Sequence, residues 1–331
     1  MMTPIKFMEC VNGFQKSAVA RTGVELEVFT HIARGRDTVE QIAAATDSAP
    51  RGIRILLDGL TVLDLIVKDG QRYRLTKESA MFLDRESPDY VGGTVGFQHT
   101  PLMYQAFALF TEAVRKGGAA VSEEGSMESD HPVWLEFARA MIPMAIPPVR
   151  VTVQLAGRVE KVLDVAAGHG MYGISILQNC PEARCVAVDW AGVLELAREN
   201  ARIAAVEDRW RPVPGSVFDV ELGGGYDAVL LPNILHHFDR SGCMAMLNRL
   251  HAVMVENGRV FIVEMIPHED RVSPSAAAWF AMTMLATTAG GEAYTLAEYG
   301  EILRETGFRV EEQYPVPGSA RSILVASRIS H

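Results

Sequence analysis

A chain of 331 residues with 48% hydrophobic and 22% charged residues is long enough for two domains or one large one. No run of about 18 residues is apolar enough to predict a membrane span, and a net charge of −10 argues against nucleic acid or an anionic membrane as the main partner. The four cysteines, Cys10, Cys180, Cys185 and Cys243, form no CxxC pair and no zinc spacing. Reduced thiols in a cytoplasmic, metal-free protein are therefore expected. Met1 to Lys16 lacks the basic start and apolar core of a secretion signal.

Residues 1–90 form a self-contained pattern. Thr38 with Gln41 three residues on predicts a capping box. Ser48 before Pro50 predicts a second helix start, and Ile53, Leu56, Leu57 and Leu60 then share one apolar face. Leu65–Lys68, the turn Asp69-Gly70 and Gln71–Leu75 read as a hairpin. Two helices and a hairpin make a winged-helix domain, a fold that can read the major groove. Here, however, 12 Lys plus Arg stand against 13 Asp plus Glu, and the candidate recognition helix offers Arg51 and Arg54 beside Asp58. A DNA reader needs a positive surplus; this domain has none.

Residues 91–158 read as helical and aromatic, with breaks expected at Gly117-Gly118 and Pro147-Pro148. From residue 159 onward strands alternate with helices. Strands are expected at 161–165, 185–189, 228–232 and 259–264, with further candidates near 308–314 and 321–327. Such alternation implies a doubly wound, Rossmann-like parallel sheet with helices on both faces.

The first of these strands, Val162-Leu163-Asp164-Val165, runs into Ala166-Ala167-Gly168-His169-Gly170 and then an apolar helix, and Asp189 closes the next strand. This is the outline of a nucleotide-binding β-α-β unit, whose helix N-terminus and bare backbone allow a ligand close approach. The loop alone serves dinucleotides and other adenosine-containing ligands alike. Asp164 separates them: a carboxylate before the loop repels a pyrophosphate and suits a cation such as S-adenosylmethionine, unless it merely ties the loop down through backbone N–H groups.

The run Asp164–Gly170 resembles motif I of class I S-adenosylmethionine-dependent methyltransferases. In order along the chain, Tyr73-Arg74-Leu75-Thr76, Val188-Asp189-Trp190, Gly215-Ser216-Val217-Phe218, Tyr226–Leu231, Ile234-Leu235-His236-His237-Phe238-Asp239 and Gly290-Gly291 extend the likeness. The whole chain is similar to the two-domain O-methyltransferases of plant phenolic and bacterial polyketide metabolism. The resemblance implies a homodimer through the winged helix and a metal-free cofactor, S-adenosylmethionine, which leaves as S-adenosylhomocysteine. It implies that Gly168 and Gly170 approach the methionine part, that Asp189 takes the ribose, that Trp190 and Phe218 border the adenine, and that Asp164, Ala166, Ser216, Val217 and Asn233 complete the cofactor site. Ala166 replaces the first motif glycine, which a modest backbone adjustment could absorb, and Ser216 replaces a usual acid.

The same resemblance implies a general base at His236, with His237 where the family has aspartate, and flanking acids at Glu264 and, one residue out of register, Glu292. A phenol with a pKa of about 10 stays protonated at neutral pH, so a positioned base helps. The acceptor, a small aromatic or apolar molecule, is expected among Tyr104, Phe107, Trp134, Met141, Met144, His237, Trp279, Phe280 and Met284. N- or C-methylation, an intramolecular displacement within S-adenosylmethionine, and a cofactor-binding regulator without catalysis are the competing readings.

Overall fold

The computed structural model describes residues 3–122 and 133–329. The chain divides into two compact units, residues 1–98 and 99–331. In the first, the capping box forms: Gln41 N donates to Thr38 Oγ1 at 3.4 Å, and Thr38 N donates to Gln41 Oε1 at 3.2 Å. The helix Pro50–Val62 starts on its proline behind Ala49, and Ser48 instead bonds Thr46 O. Its buried face is Ile53, Leu56, Leu57 and Leu60, which close on Val28, Phe29, Ile42 and Tyr73. The hairpin pairs β1 (Ile66–Asp69) with β2 (Arg72–Leu75). Asp69 pairs with Arg72, so the turn is Gly70-Gln71, one residue later than the sequence suggests; Gly70 supplies a φ of +59°. Asp58 draws in both Arg54, at 3.0 Å, and Lys68, at 2.5 Å. Two of the basic groups on this face are thereby neutralised.

The second unit carries a seven-stranded sheet of β3 (Lys161–Val165), β4 (Arg184–Asp189), β5 (Trp210–Pro214), β6 (Tyr226–Pro232), β7 (Met254–Glu264), β8 (Phe308–Pro315) and β9 (Ser322–Arg328). Its order is β5-β4-β3-β6-β7-β9-β8, and β9 runs antiparallel to both neighbours. The sheet is thus mixed, not purely parallel. β5 is absent from the sequence reading because Trp210-Arg-Pro-Val-Pro carries two prolines, which only an edge strand tolerates. Two apolar layers, one on each face, bury Val162 and Ala187 on one side and Leu163 and Val186 on the other.

Ahead of the sheet, the helix Phe110–Lys116 stops at Gly117, whose φ is +80°. The helix Val133–Ala156 runs through Pro143, Pro147 and Pro148 without the expected break. Each proline removes a backbone donor; burial of Ala145, Val149 and Ala156 against the sheet layer holds the helix together. Chain order reverses between β3 and β6, which opens a crevice at the carboxyl ends of the strands.

Candidate active site

The crevice holds a cavity within the second unit. The loop after β3 supplies Ala166, Ala167, Gly168 and His169, and the helix behind it Tyr172; the end of β4 supplies Asp189, Trp190 and Val193. Pro232, Asn233, Ile234 and His237 follow β6, Arg321 precedes β9, and the helix Val133–Ala156 covers the opening with Trp134, Phe137, Ala138, Met141 and Ala145.

The glycine loop is built by backbone geometry. Ala166 has a φ of +52°, Gly168 +57° and Gly170 +75°. Ala166 therefore takes up the left-handed conformation that a glycine would adopt freely, with no adjustment away from it; the cost for a residue with a Cβ is about 1–2 kcal/mol. Gly170 caps the helix Met171–Asn179, where a Cβ would stand 3.0 Å from that of Ala197. Asp189 stitches the loop to its own strand, accepting Gly168 N–H at 2.7 Å through Oδ2 and Trp190 N–H at 2.7 Å through Oδ1. Burial raises its pKa to about 6. His169 accepts Met171 N–H at 3.1 Å through Nδ1, and burial lowers its pKa to about 4, so the ring is neutral.

Asp164 does not line the cavity. It turns beneath the helix behind the loop, fully buried, where Oδ2 accepts Gly173 N–H at 3.0 Å and Oδ1 has no partner among the described residues. Burial raises its pKa to about 8, which leaves it mostly protonated at neutral pH. The carboxylate that seemed to face a cationic ligand is the anchor of the loop. Gly170 likewise stands behind the wall, not on it. Ser216, Val217 and Phe218 are also off the cavity wall: Ser216 Oγ accepts Phe218 N–H at 3.2 Å, Val217 is buried in the core, and Phe218 meets Phe238 edge-on at 5.3 Å.

After β6, Asn233 sits in the left-handed region with a φ of +58°; its N–H donates to Val263 O at 2.9 Å and its Oδ1 accepts Arg321 Nε at 2.7 Å. The following turn, Leu235–His237, is held by one carboxylate. Glu264, at the end of β7 and 1% exposed, accepts Leu235 N–H at 3.0 Å and His236 N–H at 3.4 Å through Oε1, and its Oε2 lies 2.5 Å from His236 Nδ1. The imidazole therefore donates from Nδ1, which leaves Nε2 as the acceptor nitrogen. His236 itself is 5% exposed and is not on the cavity wall, which its neighbour His237 lines. Its ring meets Phe280 edge-on at 4.7 Å and lies 4.4 Å from that of His237.

His237 is on the cavity wall, edge-on to Trp134 at 5.7 Å, with a buried Nδ1 that has no partner among the described residues. Burial first, and the neighbouring His236 second, push its pKa well below the usual histidine value. Glu292 does not reach the imidazole. Its backbone N–H donates to His236 O at 3.0 Å, while its half-exposed carboxylate faces Arg271 at 3.7 Å.

Of the residues expected around the acceptor, Trp134, Met141 and His237 line the cavity, and Phe280 packs against His236. Met144 is off the wall, Met284 is buried in its helix, and Trp279 is 67% exposed. Tyr104, whose hydroxyl bonds His99 at 2.7 Å, and Phe107, stacked on Phe110, are half-exposed and not on this wall. His169, Tyr172 and Arg321 were not anticipated. His169 lies between the two glycines of the loop, and Tyr172 in the first turn of the helix that follows. Arg321 has no local signal, because only the sheet order carries it to the site.

A profile of the O-methyltransferase domain matches residues 139–309, and one of the O-methyltransferase dimerisation domain matches residues 8–85. The chain belongs to the two-domain O-methyltransferase family. As a family member it is a methyltransferase dependent on S-adenosylmethionine. Over 92% of its length, this methyltransferase is 29% identical to the 3-hydroxy-5-methyl-1-naphthoate 3-O-methyltransferase of Streptomyces sahachiroi, 89% of which is covered. A candidate O-methyltransferase of Nostoc punctiforme PCC 73102 superposes with a TM-score of 0.96 at 42% identity, over 99% of this chain and 100% of that one. Human N-acetylserotonin methyltransferase, solved with S-adenosylmethionine, shares the fold at a TM-score of 0.86 and 22% identity, over 100% of this chain and 99% of that one.

Proposed function

We propose that the enzyme transfers a methyl group from S-adenosylmethionine to a hydroxyl of a small aromatic or apolar secondary metabolite, in the cytoplasm and as a homodimer. The observation that carries this reading is the buried His236–Glu264 pair beside a cavity walled by the glycine loop and Asp189. The cofactor, when bound, supplies a methyl group on a sulfonium, an electrophile that needs no activation by the protein.

The residues present fit that cofactor. Gly168 has no side chain to hold a ligand off, and each Asp189 oxygen keeps a lone pair for a ribose hydroxyl beyond the amide it already accepts. Trp190, Val193, Phe137 and Met141 offer apolar surface to the adenosine and the thioether. The chain's remaining tasks are to align the acceptor and to take its proton. Glu264 fixes His236 as the Nδ1–H tautomer, so Nε2 accepts the phenolic proton, and the carboxylate then stabilises the imidazolium. The bonds that Glu264 accepts from the Leu235 and His236 amides keep that ring from swinging away.

An aromatic hydroxyl acceptor is favoured by the naphthoate named for the Streptomyces sahachiroi relative and by Trp134, Phe137 and Phe280 near the histidines. Homodimer formation is supported by the dimerisation-domain match and by the exposed Ile5, Phe7, Met8, Val11 and Phe14 of the first two helices. No helix among the described residues is long and apolar enough to cross a membrane. Incubation with methyl-labelled S-adenosylmethionine and a cell extract tests the reading. A labelled small molecule together with S-adenosylhomocysteine supports it, whereas methylthioadenosine or no product at all rejects it.

A further inference from the structure

Arg321 is 7% exposed and lines the cavity, and among the described residues its guanidinium makes one hydrogen bond, from Nε to Asn233 Oδ1 at 2.7 Å. No carboxylate among the described residues pairs with it. A guanidinium does not shed its proton in a protein, and an unpaired charge is costly to bury. The nearby polar groups offer no anion. His169 is neutral, the Tyr172 hydroxyl is pushed far from ionisation by burial, and Glu264 is engaged by His236 and two backbone amides. Asp189, the one carboxylate among the described residues of the wall, is held by Gly168 and Trp190 at the end of β4.

The sheet order fixes the geometry. Asp189 ends β4, the glycine loop follows β3, Asn233 follows β6, and Ser322, next to Arg321, pairs with Glu264 on β7. Asp189 and the root of Arg321 thus lie on opposite sides of the loop, and Arg321 reaches back across β7 to Asn233. If the ribose of a cofactor rested on Asp189, then Gly168, Asn233 and Arg321 on the same cavity wall would be the residues left to receive its amino-acid arm. That arm ends in the only anion the cofactor carries.

We propose that Arg321 receives the α-carboxylate of the cofactor's amino-acid arm, with Asn233 as the residue that aims it. The assignment rests on the reading of this cavity as the cofactor site. Arg321 is a positioning residue: by anchoring the far end of the arm it sets where the sulfonium methyl points relative to His236. A guanidinium is suited to this because its fork matches a carboxylate in two parallel hydrogen bonds.

Calorimetry with S-adenosylhomocysteine and with its decarboxylated analogue tests the proposal without turnover. The wild-type enzyme should prefer S-adenosylhomocysteine by about 10–100-fold, the range for a charge-assisted pair. Arg321→Gln should lose that preference by weakening S-adenosylhomocysteine while leaving the analogue within about twofold, and Arg321→Lys should keep part of it. Equal weakening of both ligands, or a wild type that does not discriminate, overturns the assignment. Asp189→Ala should weaken both ligands alike. If it weakens both while Arg321→Gln still prefers the carboxylate, the arginine assignment alone falls; if it weakens neither, the cavity reading falls and takes the arginine with it. Ligand-free melting curves of each variant separate loss of binding from loss of fold.

Discussion

The two sides of the cavity are built in opposite ways. One side comes from a single β-α-β unit: Ala166 to Tyr172 and Asp189 to Val193 are joined by one helix and fixed by backbone dihedrals and amide-to-carboxylate bonds. The other side gathers Trp134, His237 and Arg321 from three distant stretches, and its chemistry depends on a glutamate from a different strand. The first side is a cradle whose shape follows from the local chain. The second exists only once the whole sheet has assembled. Affinity for the ribose end of the cofactor should therefore follow the local unit, and turnover the assembled one, which also holds the proposed carboxylate anchor Arg321.

The sharpest way to break that division is His236→Ala. Removing the base should lower turnover of a phenolic acceptor by about 10²–10⁴-fold, while the affinity for S-adenosylhomocysteine stays within about twofold. Unchanged turnover at saturating acceptor would retire the base assignment, and a parallel loss of cofactor affinity would show that the two sides are not separable.

On the local side, Asp189→Ala should weaken S-adenosylhomocysteine by about 10–100-fold, since the ribose loses a charge-assisted acceptor. The loop also loses its bond from Gly168. In the wild type the same carboxylate, with a pKa raised to about 6, should make cofactor affinity fall as the pH drops below about 6, because the protonated acid accepts less well. Calorimetry at several pH values reads this directly; a Kd flat from pH 5 to 8 would count against Asp189 as the acceptor.

Glu292→Gln probes the boundary of the assembled side. Its carboxylate faces Arg271 in a half-exposed pair of the kind worth about 0–1 kcal/mol. Turnover should stay within about twofold, and the pH profile of kcat should not shift. A tenfold loss would mean that the carboxylate reaches His236 during the reaction and that the assembled side extends further than this geometry allows.

The same division governs what was legible in the sequence. The cradle could be read because its determinants are adjacent: an acid, small residues and positive-φ positions in one run, then an acid closing the next strand. The winged helix was readable for the same reason, through the capping box at Thr38 and the apolar face of the helix Pro50–Val62. Resemblance supplied His236 and Glu264, but not the direction of the Glu292 side chain, which is set by the backbone bond to His236 O. Arg321 escaped because a lone arginine between serine, alanine and a strand carries no pattern; the antiparallel placement of β9 brings it in. The edge strand β5 escaped because its prolines argue against a strand unless the edge is known. Composition and periodicity say nothing about which side of a sheet an isolated charge will face. Asp164 is the instructive error within the local unit: its position before the loop was right, and its orientation could not be read.

Asp164→Asn therefore makes the smallest expected change in binding and gives the cleanest test of orientation. The carboxyl lies beneath the helix behind the loop and away from the cavity, so S-adenosylhomocysteine affinity should stay within about twofold. A cation-facing carboxylate would instead lose affinity on neutralisation. Stability carries a separate signature. A carboxyl whose folded pKa, about 8, exceeds its unfolded value of about 3.9 binds more protons in the folded state. Its contribution is therefore undiminished below about pH 4 and declines as the pH rises through the folded value. Asparagine keeps an oxygen for Gly173 N–H but cannot ionise, so between pH 4 and 8 the Tm of the wild type should fall relative to that of the variant. Asp189, with its raised pKa, and the buried His169 and His237, with lowered ones, act in opposite directions and equally in both proteins. Identical slopes in the two proteins would mean that Asp164 is ionised in its buried position, and would return it to the role of partner for a cation.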